Sequence, residues 1–221
     1  MRRRISATKK CGVIVLDMQT KSFPRAIPRE VLESSTDPCF AVSETLDITY
    51  CNKAWNHFAL LNQGGSEVLC AQVVSRNLLD FIPDELKKYH ADLFARARAL
   101  GQPVSHDYEC SSATLFRLYR MQIYPLDNGF AVINSLRVEQ PHDRPKVEPN
   151  DAVYKNSASL IRMCANCRRT NRTDDPAAWD WVPAYVDREQ GDVTHGVCPL
   201  CLEYYYRPYL QGRGEESRCA D

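Results

Sequence analysis

Cys164-Ala165-Asn166-Cys167 is followed about thirty residues later by His195-Gly196-Val197-Cys198-Pro199-Leu200-Cys201. Two Cys-x-x-Cys pairs at this separation supply four thiolates that two tight turns can aim at one point. Tetrahedral Zn²⁺, with S–Zn distances near ~2.3 Å, requires that arrangement. Three other uses of the cysteines compete with a structural zinc site. A redox dithiol wants a single pair at a helix start, two disulfides want an oxidising compartment, and a rubredoxin-like iron site uses the same four sulfurs. His195 could replace a cysteine as ligand. Its expected place is just outside the ligand set, donating a hydrogen bond near a thiolate, because four sulfurs already close the tetrahedron. A closed S₄ site leaves no position for water or substrate, so the ion is expected to hold structure and not to perform hydrolysis.

At 221 residues the chain has room for one ordinary domain and a small one. A hydrophobic share of 44% beside 25% charged residues is enough for a sizeable core. The net charge is zero, which gives no global reason to bind nucleic acid or an anionic membrane. No apolar run approaches the ~20 residues of a membrane span, and the N-terminus offers no export signal. With four of the ten cysteines assigned to metal, Cys11, Cys39, Cys51, Cys70, Cys110 and Cys219 are expected to be mostly buried free thiols in a reducing cytoplasm.

Residues 1–29 form a basic extension that opens on Arg2-Arg3-Arg4, with a short strand expected over 12–17. A brief helix near Val31 and Leu32 ends before Asp37-Pro38. Phe40-Ala41-Val42 and Ile48-Thr49-Tyr50 have the pattern of two strands in a hairpin-like connection, and Asn52 is placed to cap the helix that follows. A long helix is expected from about Asp84 to Leu100. Leu86, Tyr89, Leu93, Phe94, Ala97 and Leu100 form its buried stripe, His90 falls on the same face, and Gly101 closes it. Strands follow over 104–110, 115–125 and 130–136, the last two joined by Asp127-Asn128-Gly129. In the middle one Tyr119, Met121 and Ile123 face the core and Arg120 and Gln122 face solvent. This order predicts an α+β domain: a five-stranded antiparallel sheet with helices on one face, followed by a small zinc-stabilised module.

Residues 30–138 resemble a PAS domain. The likeness is carried by Asp47-Ile48-Thr49-Tyr50-Cys51-Asn52-Lys53-Ala54, by Leu79-Asp80-Phe81-Ile82-Pro83, and by Arg120-Met121-Gln122-Ile123-Tyr124-Pro125-Leu126 with Gly129-Phe130-Ala131-Val132. It implies a ligand or cofactor held between sheet and helices, with His90, Tyr119 and Met121 as candidate pocket residues, or a homodimer formed through the PAS domain.

Residues 139–156, with Pro141, Pro145 and Pro149 among alternating charges, are expected to be an exposed, semi-stiff linker. Residues 157–210 would then be the zinc module and 211–221 a flexible tail. Within the module, Trp179, Val182, Tyr185 and Val186 make a helical stripe opened by Asp174-Asp175-Pro176. Residues 160–206 resemble a cysteine-rich C-terminal module of bacterial signalling proteins, a likeness that supports a metal site more than an activity.

The sequence shows no Gly-rich phosphate loop, kinase or cyclase motif or nucleophile elbow, and its five histidines have no triad spacing. The expected role is a non-catalytic sensor or adaptor acting on a signalling partner whose identity the residues do not specify. Two alternatives stay open. His90 could ligate haem iron, against the plainer reading of a hydrogen-bonded core histidine. Arg162, Arg168, Arg169 and Arg172 could make a zinc ribbon that binds nucleic acid, although Asp174, Asp175, Asp180, Asp187, Glu189 and Asp192 give the same module an acidic flank.

Overall fold

The structure, a computed structural model, describes residues 26–62, 64–187 and 192–207. The strand expected at 12–17, most of the basic extension and the tail lie outside the described residues. Helix α1 (Arg29–Ser34) leads into strands β1 (Cys39–Val42) and β2 (Ile48–Cys51). Helices α2 (Lys53–Leu61), α3 (Cys70–Val73) and α4 (Asp84–Leu100) come next, with a 3₁₀ turn at Leu78–Phe81 before α4. Strands β3 (Val104–Glu109), β4 (Leu115–Leu126) and β5 (Gly129–Pro141) complete an antiparallel sheet of order β2-β1-β5-β4-β3. This is the PAS-like arrangement expected from the sequence: the first two strands lie beside the last, and the helical section crosses one face.

Local signals account for most of these boundaries. Asn52 caps α2, its Oδ1 accepting from Trp55 N at 3.0 Å. Its Nδ2 also donates to Leu32 O and Asp37 O, so one buried amide ties α1, β1 and α2 together. Gly101 ends α4 with φ 59°, the left-handed conformation that a residue without Cβ adopts freely. Gly129, at φ 136°, passes so close to β1 that a Cβ would sit 2.1 Å from Val42 O.

The alternation along β4 is as expected: Arg117, Tyr119, Met121 and Ile123 are buried, with half-buried residues between them. Met121 and Ile123 join Phe40, Val42, Leu86, Leu93, Phe94, Phe130 and Val132 in the main core. Two expectations at the edges need correction. Leu100 is 54% exposed, because α4 has by then run past the sheet. Helix α1 packs Leu32 against Cys39 and Ala131, which alternate with the core-facing Phe40, Val42, Phe130 and Val132, so it covers the reverse face of the sheet.

Residues 139–156 are not a free linker. β5 continues to Pro141, His142 donates through Nε2 to Ser112 O (2.9 Å) and packs on the Trp181 ring at 4.3 Å, and Val147 N bonds Trp181 O. Arg144 is clamped between Glu109 Oε1 (2.6 Å) and Cys167 O (2.8 Å). Proline and charge signal an exposed backbone, and Pro145 and Pro149 are exposed, but they say nothing about side chains that reach a partner on either side.

After helix α5 (Asp151–Tyr154) come β6 (Ile161–Cys164), β7 (Thr170–Asn171), β8 (Trp179–Asp180), α6 (Pro183–Val186), β9 (Val193–Gly196) and α7 (Pro199–Cys201). α7 continues as a wide turn through Leu202–Tyr206. The four strands form a second sheet, ordered β8-β7-β6-β9, with β6 and β9 parallel. The helical stripe expected from Trp179 to Val186 is therefore replaced. Trp179 pairs with Asn171 in β8, and Pro183 starts a separate single turn, because a proline in mid-helix would lack its N–H and clash with the preceding turn. The apolar residues are buried nonetheless: Val182, Tyr185 and Val186 join Trp181, Tyr154, Ile161 and Met163 in a second core.

Candidate metal centre and adjoining cavity

The parallel pairing of β6 with β9 places the two cysteine pairs side by side. Met163 lies opposite His195 and Cys164 opposite Gly196, so each strand ends at the same level and delivers its own turn. The first turn is held by Cys164 N to Arg169 O (2.8 Å) and Arg168 N to Cys164 O (3.0 Å), with Arg168 in the left-handed region at φ 61°. Ala165 N bonds Gly196 O (2.8 Å) and stitches the turns together. In the second turn Leu202 N bonds Cys198 O at 2.9 Å.

All four sulfurs are buried and lie within 4.8 Å of one another, with Cys167 Sγ and Cys198 Sγ 3.6 Å apart. A tetrahedron of sulfurs around a Zn²⁺-sized ion has edges of about 3.8 Å, so the donor set fits such an ion with only small adjustment. Backbone N–H groups already point at the sulfurs: Cys198 N to Cys164 Sγ and Cys201 N to Cys198 Sγ, each 3.4 Å. Arg169 Nη1 lies 3.5 Å from Cys167 Sγ. Hydrogen bonds from Cys167, Cys198 and Cys201 hold the Cys164 thiol far below its ordinary value, and the same crowding drives Cys198 and Cys201 up. Four thiolates cannot share this space without a cation between them, and a divalent ion removes the conflict. These four buried cysteines could therefore hold a metal ion.

His195 is exposed, and its Nε2 lies 3.2 Å from Arg168 Nη1. The charged group drawn onto a cysteine sulfur is Arg169, whose place in a basic cluster of the sequence gives no sign of that role. His90 is buried in α4 with Nδ1 3.1 Å from Leu86 O, and burial lowers its pKa. Its neighbours are the rings of Tyr89, His106 and Tyr206. Met121 lies in the main core. Of the three candidate pocket residues, Tyr119 lines the cavity beside the cysteine module, and His90 and Met121 do not.

That cavity, of about 530 Å³, lies where the two sheets meet. Trp55, Phe58 and Ala59 of α2, Val68, and Tyr108, Tyr119 and Asn134 of the PAS-like sheet form most of its wall, and Arg168, Val193 and His195 of the cysteine module complete it. Sequence reasoning missed the module's share, since nothing in the spacing of Arg168 or His195 relates them to Phe58.

The module is also fused to the sheet domain through Tyr206. Its ring sits 5.1 Å from both Tyr89 of α4 and His106 of β3, and its hydroxyl is paired with Asn166 inside the first cysteine turn. The run Tyr204-Tyr205-Tyr206 straight after Cys201 was the available signal. Tyr206 and the four cysteines belong to the same apolar cluster as Phe94 and Ile123.

Among the described residues no helix is long and apolar enough to cross a membrane. No family model matches the sequence, and no curated protein matches it. Among solved structures, the chain is similar to a domain of HTR-like protein from Haloarcula marismortui at 15% identity and a TM-score of 0.36, covering 47% of this chain and all of that one. It is also similar to a PAS domain from a two-component sensor histidine kinase at 16% identity and a TM-score of 0.32, covering 49% of this chain and 91% of that one.

Proposed function

We propose that this protein is a non-catalytic sensor or adaptor in signal transduction. A ligand or a second copy of the PAS-like domain biases its conformation, and a structural Zn²⁺ held by Cys164, Cys167, Cys198 and Cys201 keeps the C-terminal module in place to pass that bias to a protein partner. The carrying observation is the continuity of packing: the four sulfurs, Tyr206 and the core of the PAS-like domain form one apolar cluster. A change at the cavity is thus a change at the module wall. Zinc is favoured among metals because an all-thiolate, closed tetrahedral set suits a redox-inert ion with a structural task.

The alternatives draw less support. A haem ligand on α4 would need His90 to face open space, whereas its ring is enclosed by Tyr89, His106 and Tyr206. A nucleic-acid ribbon would need its arginines to face a phosphate backbone. Arg162 instead pairs with Glu85 at 2.7 Å, Arg172 with Asp174 at 2.7 Å, and Arg169 with the Cys167 sulfur.

Metal analysis of the purified chain should find one zinc per molecule and no Soret absorbance. Removing the zinc with a chelator should then raise amide exchange in α4 and β3 as well as in the cysteine turns. A metal-free folded protein, or exchange that rises in the module alone, would refute the reading.

A further inference from the structure

We infer that a second, smaller pocket binds a small oxyanion, held by the buried guanidinium of Arg117 and the hydroxyls of the turn between β3 and β4.

This pocket adjoins the larger cavity, holds about 190 Å³, and lies where the end of α2, residues 110–114 and the end of α6 come together. Arg117 reaches it from β4. The residue is only 8% exposed, its Nη2 donates to Asn62 Oδ1, and its Nε has no hydrogen-bond partner among the described residues. Its other contact is the Phe58 ring, whose centroid lies 5.7 Å away. Neither Asn62 nor Phe58 carries charge. A guanidinium taken out of water against an amide and a ring keeps most of its charge uncompensated, which is a costly arrangement that an anion relieves.

The acids that could neutralise Arg117 are placed otherwise. No carboxylate of the described residues lies within ion-pair distance of it. Glu109, the buried acid of β3, is clamped to Arg144 at 2.6 Å. Glu139 stands opposite Arg117 in the β4–β5 ladder but is exposed. Asp187 lines the pocket from the module side and is exposed as well. Arg168 is also in the wall, but it is engaged with His195, and Arg117 is the charge that the inference uses.

The rest of the wall narrows the class of ion. Ser112 Oγ accepts from Leu115 N at 3.2 Å, leaving its own proton to donate, and Thr114 adds a second hydroxyl at the rim. A planar fork of N–H donors beside hydroxyls matches the oxygens of phosphate, sulfate or a carboxylate. The volume suits a small inorganic ion or a short carboxylate and is too small for a nucleotide. The bound ion ties the end of α2 to β4 and to the β3–β4 turn. It needs neither a metal nor a downstream partner, so the inference stands independently of the sensor reading.

The test uses the full-length chain as purified, in a buffer free of oxyanions and at constant ionic strength, titrated calorimetrically with phosphate, sulfate and acetate. At least one ion should bind saturably with a Kd below about 1 mM and, at about 10 mM, raise Tm by about 3 °C or more. Arg117→Met, of similar volume and without charge, should weaken binding about tenfold or more and, in the oxyanion-free buffer, melt no lower than the parent. Asp187→Asn, an exposed change that spares the core, should tighten binding about threefold by removing a like charge. Binding in Arg117→Met equal to the parent's, or Asp187→Asn without effect, would place the ion elsewhere and overturn the site. A lower Tm for Arg117→Met in the oxyanion-free buffer would show that Asn62 and Phe58 already compensate the charge, and would overturn the premise. No saturable binding of any of the three ions up to about 10 mM would overturn the oxyanion itself. Each of these failures leaves the metal and exchange measurements on the sensor reading untouched.

Discussion

Asn52 shows how much one side chain carries. Besides Trp55 N, its Oδ1 accepts from Cys39 N at 3.0 Å, and its Nδ2 serves three carbonyls. Asn52→Ala removes a helix cap and strands buried backbone groups, so stability to urea should fall by about 2–4 kcal/mol. Arg144 and Glu109 are a second such point. Their side chains are 12% and 5% exposed, and Glu109 Oε1 also accepts from Ser111. Arg144→Met leaves a buried carboxylate uncompensated and should cost about 3–5 kcal/mol, while the double variant Arg144→Met/Glu109→Gln should recover part of that loss. His106 adds a pH dependence. Burial first, and then neighbouring His90, push its pKa from 6.5 to about 3. The unfolded chain binds that proton at higher pH than the folded one. Above about pH 6.5 the neutral ring carries no penalty, and below it stability falls until about pH 3, by about 2–3 kcal/mol at pH 4.5. Urea midpoints measured from pH 7 to 4.5 should decline less steeply in His106→Phe than in the parent. The comparison separates His106 from carboxylates such as Asp107, which lose their own stabilisation on acidification.

Elements were legible where a period or a cap marks them. The i, i+3, i+4, i+7 stripe from Leu86 to Ala97 and the alternation of Tyr119, Met121 and Ile123 gave α4 and β4 close to their observed bounds. Trp179 to Val186 misled because its apolar spacing fits a helix while Pro183 and the pairing of Trp179 with Asn171 do not. Periodicity describes which side chains are buried, and a strand–turn combination here buries Val182, Tyr185 and Val186 as a helix would have done. The wide turn Leu202–Tyr206 shows the converse, a segment with no period whose Tyr206 packs on Tyr89 and His106 of the sheet domain. Tyr206→Ala should cost about 3–5 kcal/mol from the lost ring. Tyr206→Phe should cost about 1 kcal/mol from the lost pairing with Asn166. If Tyr206→Ala changes metal retention as well as the urea midpoint, the two modules are coupled through that ring.

The main core runs unbroken from the five-stranded sheet to the four sulfurs, so heat or urea should unfold both parts in a single transition while a metal is bound. Cys198→Ser should weaken metal retention, separate that transition into two, and expose the module first. Differential scanning calorimetry with and without a chelator checks this. The order of strands and helices up to β5 and the four candidate ligands followed from the sequence alone, because each is written in local spacing: alternation, helical period, or Cys-x-x-Cys. The docking of residues 139–156, the parallel β6–β9 pair that brings the cysteines together, and the cavity shared by Phe58, Tyr119, Arg168 and His195 were decided by tertiary structure. These contacts join residues far apart in the chain, and no local pattern records which distant side chain will satisfy a buried charge or complete a wall.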